Sequence, residues 1–181
     1  DVDSGMRRTA KTINFGIIYG ISAYGLARQL SISPGEAGGY IDRFFSTFPG
    51  VKKYQEETAA FAASRGWVET LTGRRRYMSN INSKNRGIRE FAERAAVNMP
   101  IQGTAADIIK KAMIEIQEWI EKERLSAKMI LQVHDELVFS SPVDEKEGLK
   151  RKIREIMEGA IRLDVPLVVD IQEGKNWGET E

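Results

Sequence analysis

Residues 7–20 read RRTAKTINFGIIYG, and this stretch decides the fold around it. Two cations and two aromatic rings recur in it at every fourth position: Arg7, Lys11, Phe15 and Tyr19. Because a step of four residues turns only about 40° around an α-helix, these side chains share one broad face. Apolar residues repeat behind them, at Met6, Ala10, Ile13 and Ile17. The pattern predicts an amphipathic helix that begins near Met6 and is loosened by Gly16 and Gly20.

The polar face of this helix has two interpretations. Cations at one end and rings at the other could hold the polyphosphate, sugar and base of a nucleoside triphosphate, with Arg7 as a fork and Lys11 as a point charge. Alternatively, the rings pack in an ordinary amphipathic helix and the cations are solvated. The spacing alone favours that second interpretation.

Helices and turns dominate the sequence that follows. Ser33 and Pro34 are typical of a helix start, which predicts a helix to about Phe48. A second predicted helix covers Val51–Ser64 and closes at Gly66. A hairpin then turns at Thr72–Gly73 and ends at Tyr77.

Strands are expected mainly in the last third of the chain. A helix is predicted from Asn85 to Asn98, a break at Pro100, and a new helix from about Thr104 to Arg124. The remaining predicted elements are strands at 128–133 and 137–140, a helix at 144–161 and a strand at 165–171. The order of the elements predicts an α+β fold.

A pair of acidic residues lies at the tip of the second hairpin, where Gln132–Val138 reads QVHDELV. Adjacent carboxylates repel one another, and a divalent cation relieves that repulsion while also neutralising charge in phosphoryl transfer. A plain polar turn is the commoner explanation of such a tip. His134 is the only histidine in the chain, and a lone histidine is usually structural.

Composition restricts the class of protein. The chain has 181 residues, 41% of them hydrophobic, which is enough for a buried core. It has no cysteine, so disulfides and cysteine-based zinc sites are excluded. The sequence has no apolar run long enough to span a bilayer and no apolar signal-peptide core, so we expect a cytoplasmic setting without membrane partners.

Charge is distributed unevenly along the chain, whose formal net charge is +1. Residues 65–94 hold eight basic and three acidic residues, a net charge of +5, whereas residues 95–181 hold twelve basic and seventeen acidic residues, a net charge of −5. A basic middle suits a surface that meets phosphates, because neutralising phosphates releases condensed counterions. A solvated charged loop explains the charges equally well.

Three strings in order resemble family A DNA polymerases across essentially the whole chain. They are RRTAKTINFGIIYG, ERAAVNMPIQGTAADIIKKAM at residues 93–113, and QVHDELV. The resemblance implies part of a right-hand polymerase fold. Residues 1–88 would form a helical fingers portion, and residues 89–181 a palm portion with an antiparallel hairpin and helices.

The resemblance also implies roles for individual residues. Arg7 and Lys11 would contact the phosphates of the incoming nucleotide, Lys11 would protonate the departing pyrophosphate, Phe15 would pack on the sugar and Tyr19 would lie near the new base pair. Asp135 would be a magnesium ligand with Glu136 close behind it. Arg94, Asn98, Gln102 and His134 would contact the primer-template duplex; without the resemblance, helix capping and solvation around Pro100 explain the first three of these.

The implied reaction adds deoxynucleotides to a primer 3′ end, with Mg²⁺ as cofactor. Its partners would be primer-template DNA, deoxynucleoside triphosphates and the remainder of a polymerase chain, including the upstream palm and the thumb. The family places a second essential aspartate in an upstream segment of the type DYSQIELR, and no such string occurs here. We therefore expect the isolated chain to be catalytically inactive. The alternative is a non-catalytic module that binds nucleic acid or nucleotide.

Overall fold

Six helices and two antiparallel hairpins make up the part of the chain that the computed structural model describes, residues 3–179. The helices are α1 (Ser4–Ile18), α2 (Ala23–Leu30), α3 (Pro34–Thr47), α4 (Pro49–Arg65), α5 (Arg86–Glu123) and α6 (Lys146–Gly159). The strands are β1 (Trp67–Glu69), β2 (Arg75–Tyr77), β3 (Lys128–Val133) and β4 (Glu136–Ser140), and a 3₁₀ turn follows at Trp177–Glu179. This mixture confirms the α+β prediction.

Side-chain caps fix where the first helices begin. The Asp3 carboxylate accepts the N–H of Met6 at 2.7 Å, and the Ser33 hydroxyl accepts the N–H of Glu36 at 3.2 Å. Each bond satisfies one of the N–H groups that a helix leaves open in its first turn. Pro34 occupies the first helical position of α3, as predicted. Gly66 ends α4 with φ of +77°, which also agrees with the prediction.

Contacts divide the chain into two compact units, residues 1–102 and 103–181, and the division falls inside α5. The first unit contains two apolar clusters. One gathers around Leu26, Ala27 and Ala37 on α2 and α3. The other joins α4, the first hairpin and the start of α5 through Ala62, Val68, Met78, Ile81, Ala92, Ala96 and Met99. The predicted boundary between fingers and palm after residue 88 stays a prediction.

The second unit has its own core between α5 and α6. Ile116 and Ile120 of α5 pack with Leu149 and Ile153 of α6, and inward residues of β3 and β4 pack against them. The carboxylate of Glu145 accepts the N–H groups of Ser126 and Ala127 at 2.8 and 3.0 Å, which fixes the chain just before β3. This core supports the hairpin that carries the predicted metal ligand.

The predicted helix break at Pro100 is wrong, because α5 runs through it without interruption. Proline removes the donor for the carbonyl four residues earlier, which normally kinks or ends a helix. Here the Tyr54 hydroxyl of α4 donates to the carbonyl of Val97, the residue after the one whose carbonyl loses its helical donor, at 2.9 Å. The apolar residues on both sides of Pro100 also pack into cores, which outweighs the local preference for a break.

The predicted strand at 165–171 is also wrong for the described structure, since this segment joins no ladder among residues 3–179. Two side chains of α6 bind its backbone instead. Glu158 accepts the N–H of Val169 at 3.0 Å, and Arg154 donates to the Val169 carbonyl at 3.3 Å. The apolar composition of this segment is consistent with an extended conformation, but its backbone hydrogen bonds come from side chains of a helix.

Helix α2 was not predicted, although the sequence contains its signals. The hydroxyl of Ser22 caps its start by accepting the N–H of Gly25 at 3.1 Å, and Ser31 ends it with φ of 56°. Leu26 and Ala27 are buried on one face. At eight residues it is short enough to be taken for the loop between α1 and α3.

Candidate functional site

An open pocket of about 590 Å³ lies along α1 within the first unit. Three of the four predicted side chains of the polar face line it: Lys11, Phe15 and Tyr19. Its other lining residues are Arg8, Thr12, Gly16, Ile21, Gln29 and Arg94. The fourth predicted residue, Arg7, does not line it, and Arg8 does.

The cation and the two rings follow one another along the pocket. The ammonium of Lys11 lies 5.8 Å from the centroid of the Phe15 ring, and that ring lies 6.2 Å from the Tyr19 ring, tilted by 33°. Phe15 is 51% exposed and Tyr19 is 38% exposed. Two rings left open to solvent beside a cation form a surface on which a sugar and a base can pack while phosphates meet the ammonium.

The C-terminal half of α1 is anchored and the N-terminal half is not. Ile17 is only 2% exposed, whereas every residue from 3 to 11 is exposed. The predicted apolar back face is therefore buried at Ile17 and partly at Ile13, but Met6 and Ala10 are in solvent. The anchored turns hold Phe15 and Tyr19, and the exposed turns present Lys11.

Arg94 lies at the pocket, which the sequence did not predict. It comes from α5, yet its side chain packs against Gly20, just after α1: a β-carbon on Gly20 would lie 3.0 Å from the Cγ of Arg94. Gly20 has φ of +76°, so this position favours glycine for its backbone as well as for the close approach. The predicted duplex contact and the predicted nucleotide face thus meet through Arg94.

Positive charge at the pocket is not held in salt bridges. Within residues 3–179, no carboxylate forms an ion pair with Arg8, Lys11 or Arg94, although Arg94 is near enough to the Glu90 carboxyl to help lower its pKa. Arg8 and Gln29 were missed by sequence reasoning. Arg8 adjoins Arg7 in the same basic pair, and only the fold of α2 brings Gln29 to the pocket. An electropositive pocket with ring walls suits an anionic, partly aromatic ligand.

Asn98 and Gln102 continue the line of Arg94 along α5 in steps of four. Asn98 is half-buried and Gln102 is exposed. Neither is among the residues that line the pocket along α1. Their helical spacing leaves them on one broad face, as the duplex prediction requires, but their role stays a prediction.

The three acids in the basic middle of the chain each form a salt bridge with an arginine. They are Glu69 with Arg75 at 3.3 Å, Glu90 with Arg86 at 2.7 Å, and Glu93 with Arg89 at 3.7 Å. The hydrogen bond from Arg86 lowers the pKa of the Glu90 carboxyl. The Arg75 guanidinium also stacks on Trp67, with its centre 3.9 Å from the ring centroid. Arg75 therefore braces the first hairpin.

The second hairpin displays Asp135 on a two-residue loop. β3 and β4 pair from Lys128↔Ser140 to Val133↔Glu136, so His134 and Asp135 form the loop itself. His134 has φ of 53°, a left-handed conformation that costs a non-glycine residue energy, and functional loops often hold such residues. The Gln132 side-chain amide donates to the His134 carbonyl at 3.1 Å and supports this geometry.

Asp135 and Glu136 have the chemistry of a partial magnesium site. Both are exposed, and neither carboxylate takes part in a hydrogen bond or ion pair within residues 3–179. Uncommitted carboxylate oxygens are the ligands that Mg²⁺ prefers. No group of three or more metal-binding side chains occurs among the described residues. The hairpin fits magnesium as a contributor of ligands and does not by itself enclose an ion.

The family model for DNA polymerase family A matches residues 1–179, and this chain belongs to that family. It is 53% identical over 179 residues to a DNA polymerase I of Pseudomonas aeruginosa, covering 99% of this chain and 20% of the relative. It is also 53% identical over 177 residues to a DNA polymerase I of Bacillus caldotenax, covering 98% of this chain and 20% of the relative. The chain thus spans about a fifth of the length of these relatives.

A solved structure supports the same membership. The POL domain of Pol1 from M. smegmatis, in complex with DNA primer-template and dNTP, superposes with a TM-score of 0.96 at 44% identity. The match covers 99% of this chain and 32% of that one. Among residues 3–179, no helix is both long and apolar enough to cross a membrane.

Proposed function

We propose that this chain is the fingers-and-palm part of a DNA-directed DNA polymerase, which extends a primer 3′ end with deoxynucleotides. We call the longer chain to which it would belong the parent polymerase. The observation that carries the proposal is the pocket in which the cation of Lys11 and the rings of Phe15 and Tyr19 follow one another. Family membership over residues 1–179 supports it.

In this proposal the pocket along α1 receives the deoxynucleoside triphosphate. Lys11 meets the phosphates, Phe15 packs on the sugar, and Tyr19 faces the new base pair. Arg7 lies on an exposed turn of α1 and reaches the phosphates from outside the pocket wall. Arg8 adds a cation that sequence reasoning did not assign. Fixed cations stabilise charge that builds on the phosphoryl oxygens without having to reorganise during the reaction.

The reaction is an in-line phosphoryl transfer. The primer 3′ hydroxyl loses its proton to solvent, and its oxygen forms a bond to the α-phosphorus. The bond between the α-phosphorus and the oxygen that bridges to the β-phosphorus breaks, and pyrophosphate leaves. Lys11 donates a proton to the departing pyrophosphate. Mg²⁺, when bound, neutralises charge on the attacking and leaving oxygens. Asp135 would hold it, with Glu136 adjacent, and the further carboxylates would come from the remainder of the parent polymerase. We propose that the isolated chain lacks turnover for that reason.

Contacts to the primer-template would come from both units. Arg94 suits a backbone phosphate, while the amides of Asn98 and Gln102 suit acceptors of the minor groove, which look nearly alike in A·T and T·A pairs. His134, held in its left-handed conformation, would approach the primer terminus. Such contacts check the shape of base pairs without reading sequence. The cytoplasmic setting expected from the composition stays a prediction.

The experiment that tests the proposal is Lys11→Ala in the parent polymerase, measured by single-turnover primer extension at saturating nucleotide. We expect the rate of chemistry to fall about 100-fold or more, the range for loss of a general acid, with unfolding temperature unchanged because Lys11 is exposed. Lys52→Ala is the matched control, an exposed lysine on α4. A normal rate for Lys11→Ala would refute the assigned role, and DNA binding without extension by the parent itself would favour the non-catalytic alternative.

A further inference from the structure

The C-terminal end of α1 is closed by hydrogen bonds that can be followed one by one. A helix leaves its last four carbonyls without partners inside the helix. Three of them receive backbone N–H groups that follow: Phe15 from Tyr19 at 3.0 Å, Gly16 from Ile21 at 2.8 Å, and Ile17 from Gly20 at 3.0 Å. The last two bonds form a Schellman motif, with Gly20 in its left-handed position.

The fourth carbonyl, that of Ile18, receives its donor from another helix. The side-chain amide of Gln55 on α4 lies 3.2 Å from the Ile18 oxygen and 3.0 Å from the Ile17 oxygen. Gln55 is half-buried, so water competes less for these bonds than at an open surface. One carboxamide thus ties the end of α1 to α4.

The neighbouring residue fixes the position of this tie. The hydroxyl of Tyr54 donates to the Val97 carbonyl of α5 at 2.9 Å. Burial raises the pKa of the Tyr54 hydroxyl, which keeps it protonated and able to donate. Because this bond joins α4 to α5, the turn of α4 that carries Gln55 is itself anchored to a second helix.

The rest of α1 has little to hold it. Residues 3–11 are exposed, and the anchoring burial begins near Ile13 and is complete at Ile17. A helix supported at one end has an orientation that depends on the bonds at that end. The direction in which Lys11 points from the pocket wall is consequently set by the anchored turns, through the packing of Ile13 and Ile17 and the bonds at Ile17 and Ile18.

We propose that Gln55 is a positioning residue of the nucleotide pocket, which sets the orientation of α1 by capping its C-terminal carbonyls. The inference rests on the proposed function of α1. Without the cap, α1 samples more orientations, and only a fraction of molecules present Lys11 and Phe15 correctly. The apparent nucleotide affinity then falls in proportion to that fraction, although Gln55 touches no substrate.

The test compares three Gln55 variants of the parent polymerase in single-turnover extension at varied nucleotide concentration. Gln55→Met keeps the length and removes the donor, and we expect its apparent nucleotide Kd to rise about fivefold, the effect of one hydrogen bond. Gln55→Glu places a carboxylate against two carbonyls and should raise the apparent nucleotide Kd further. Gln55→Lys restores a donor, and its apparent nucleotide Kd should stay within about twofold of the parental value, since an ammonium also suits a helix C-terminus.

Primer-template affinity and unfolding temperature are measured for each variant, and neither should follow the order of nucleotide Kd values. Gln117→Met is the matched control, because Gln117 is an exposed glutamine whose amide donates to Glu121 on the same helix. A parental nucleotide Kd for both Gln55→Met and Gln55→Glu, with Lys11→Ala impaired, would overturn this inference and leave the proposed function intact. A normal Lys11→Ala would instead overturn the proposed function. If Gln55→Met does not fold, equal Kd values for Gln55→Glu and Gln55→Lys overturn the inference.

Discussion

The pocket along α1 and the β3–β4 hairpin differ in how much of their chemistry this chain supplies. The pocket gathers residues from α1, α2 and α5, and its aromatic row is in place. The hairpin exposes two carboxylates that no other described side chain joins. In the proposed function, the nucleotide would therefore be held within one compact unit, whereas the metal would need ligands from a further segment. We therefore expect substitutions in the hairpin to change how extension depends on magnesium, and substitutions in α1 to change how it depends on nucleotide.

Among the variants that test this comparison, we expect the largest effect from Asp135→Asn in the parent polymerase. The amide keeps the shape and hydrogen-bonding capacity of the loop but removes the charge that magnesium needs. We expect the extension rate to fall at least about 10³-fold, more than the loss of a single hydrogen-bond donor to a transition state. Primer-template binding, measured by fluorescence anisotropy, should stay within about threefold, since one exposed carboxylate contributes little to it.

Asp144→Asn is the control for that variant, an exposed aspartate between β4 and α6. It should extend primers at the parental rate. If Asp135→Asn and Asp144→Asn extended primers at the same rate, the tip of the hairpin would be an ordinary polar turn. The claim that this hairpin supplies a magnesium ligand would then be wrong.

A smaller effect is expected from His134→Gly. Glycine adopts φ of 53° without strain, so the substitution should stabilise the isolated chain against urea by about 0.5 kcal/mol, the relief being partly offset by the greater freedom of glycine when unfolded. In the parent polymerase the same change should slow extension, because the imidazole is lost from the primer side.

Ser31→Gly is the matched control, since Ser31 has φ of 56° at the end of α2. It should be stabilised by a similar amount with no change in extension. Unchanged extension by His134→Gly would mean that His134 serves only the structure of the hairpin. A loss of stability would mean that the left-handed conformation of His134 is not strained.

The sequence predicted which side chains of α1 share a face better than it predicted what surrounds that face. Periodicity placed Lys11, Phe15 and Tyr19 on one face because side-chain direction in a helix follows from spacing alone. It placed Arg7 there too, but Arg8 lines the pocket and Arg7 does not, since neighbouring residues on a helix differ by about 100° and the pocket wall is set by α2 and α5. The roles of these residues stay predictions. Arg94 and Gln29 reach the pocket only through tertiary packing, which a linear pattern does not contain.

Errors in the fold have the same origin. Local rules predicted a break at Pro100, but residues on both sides of it pack into cores with segments distant in sequence. The local sequence predicted a strand at 165–171, and the side chains of α6 bind its backbone instead. The capping signals at Ser33 and Gly66 succeeded because their hydrogen bonds close within a few residues. Predictions held where the partner was close in sequence and failed where it was distant.

The most direct test of the division between α1 and the hairpin is a magnesium titration of single-turnover extension at saturating nucleotide. Asp135→Glu, which moves the carboxylate by one methylene, should raise the magnesium midpoint by about tenfold or more, as expected when a metal site is perturbed. Lys11→Ala should leave the midpoint within about twofold and lower only the plateau rate. A midpoint that moved equally in both variants, or in neither, would contradict the account.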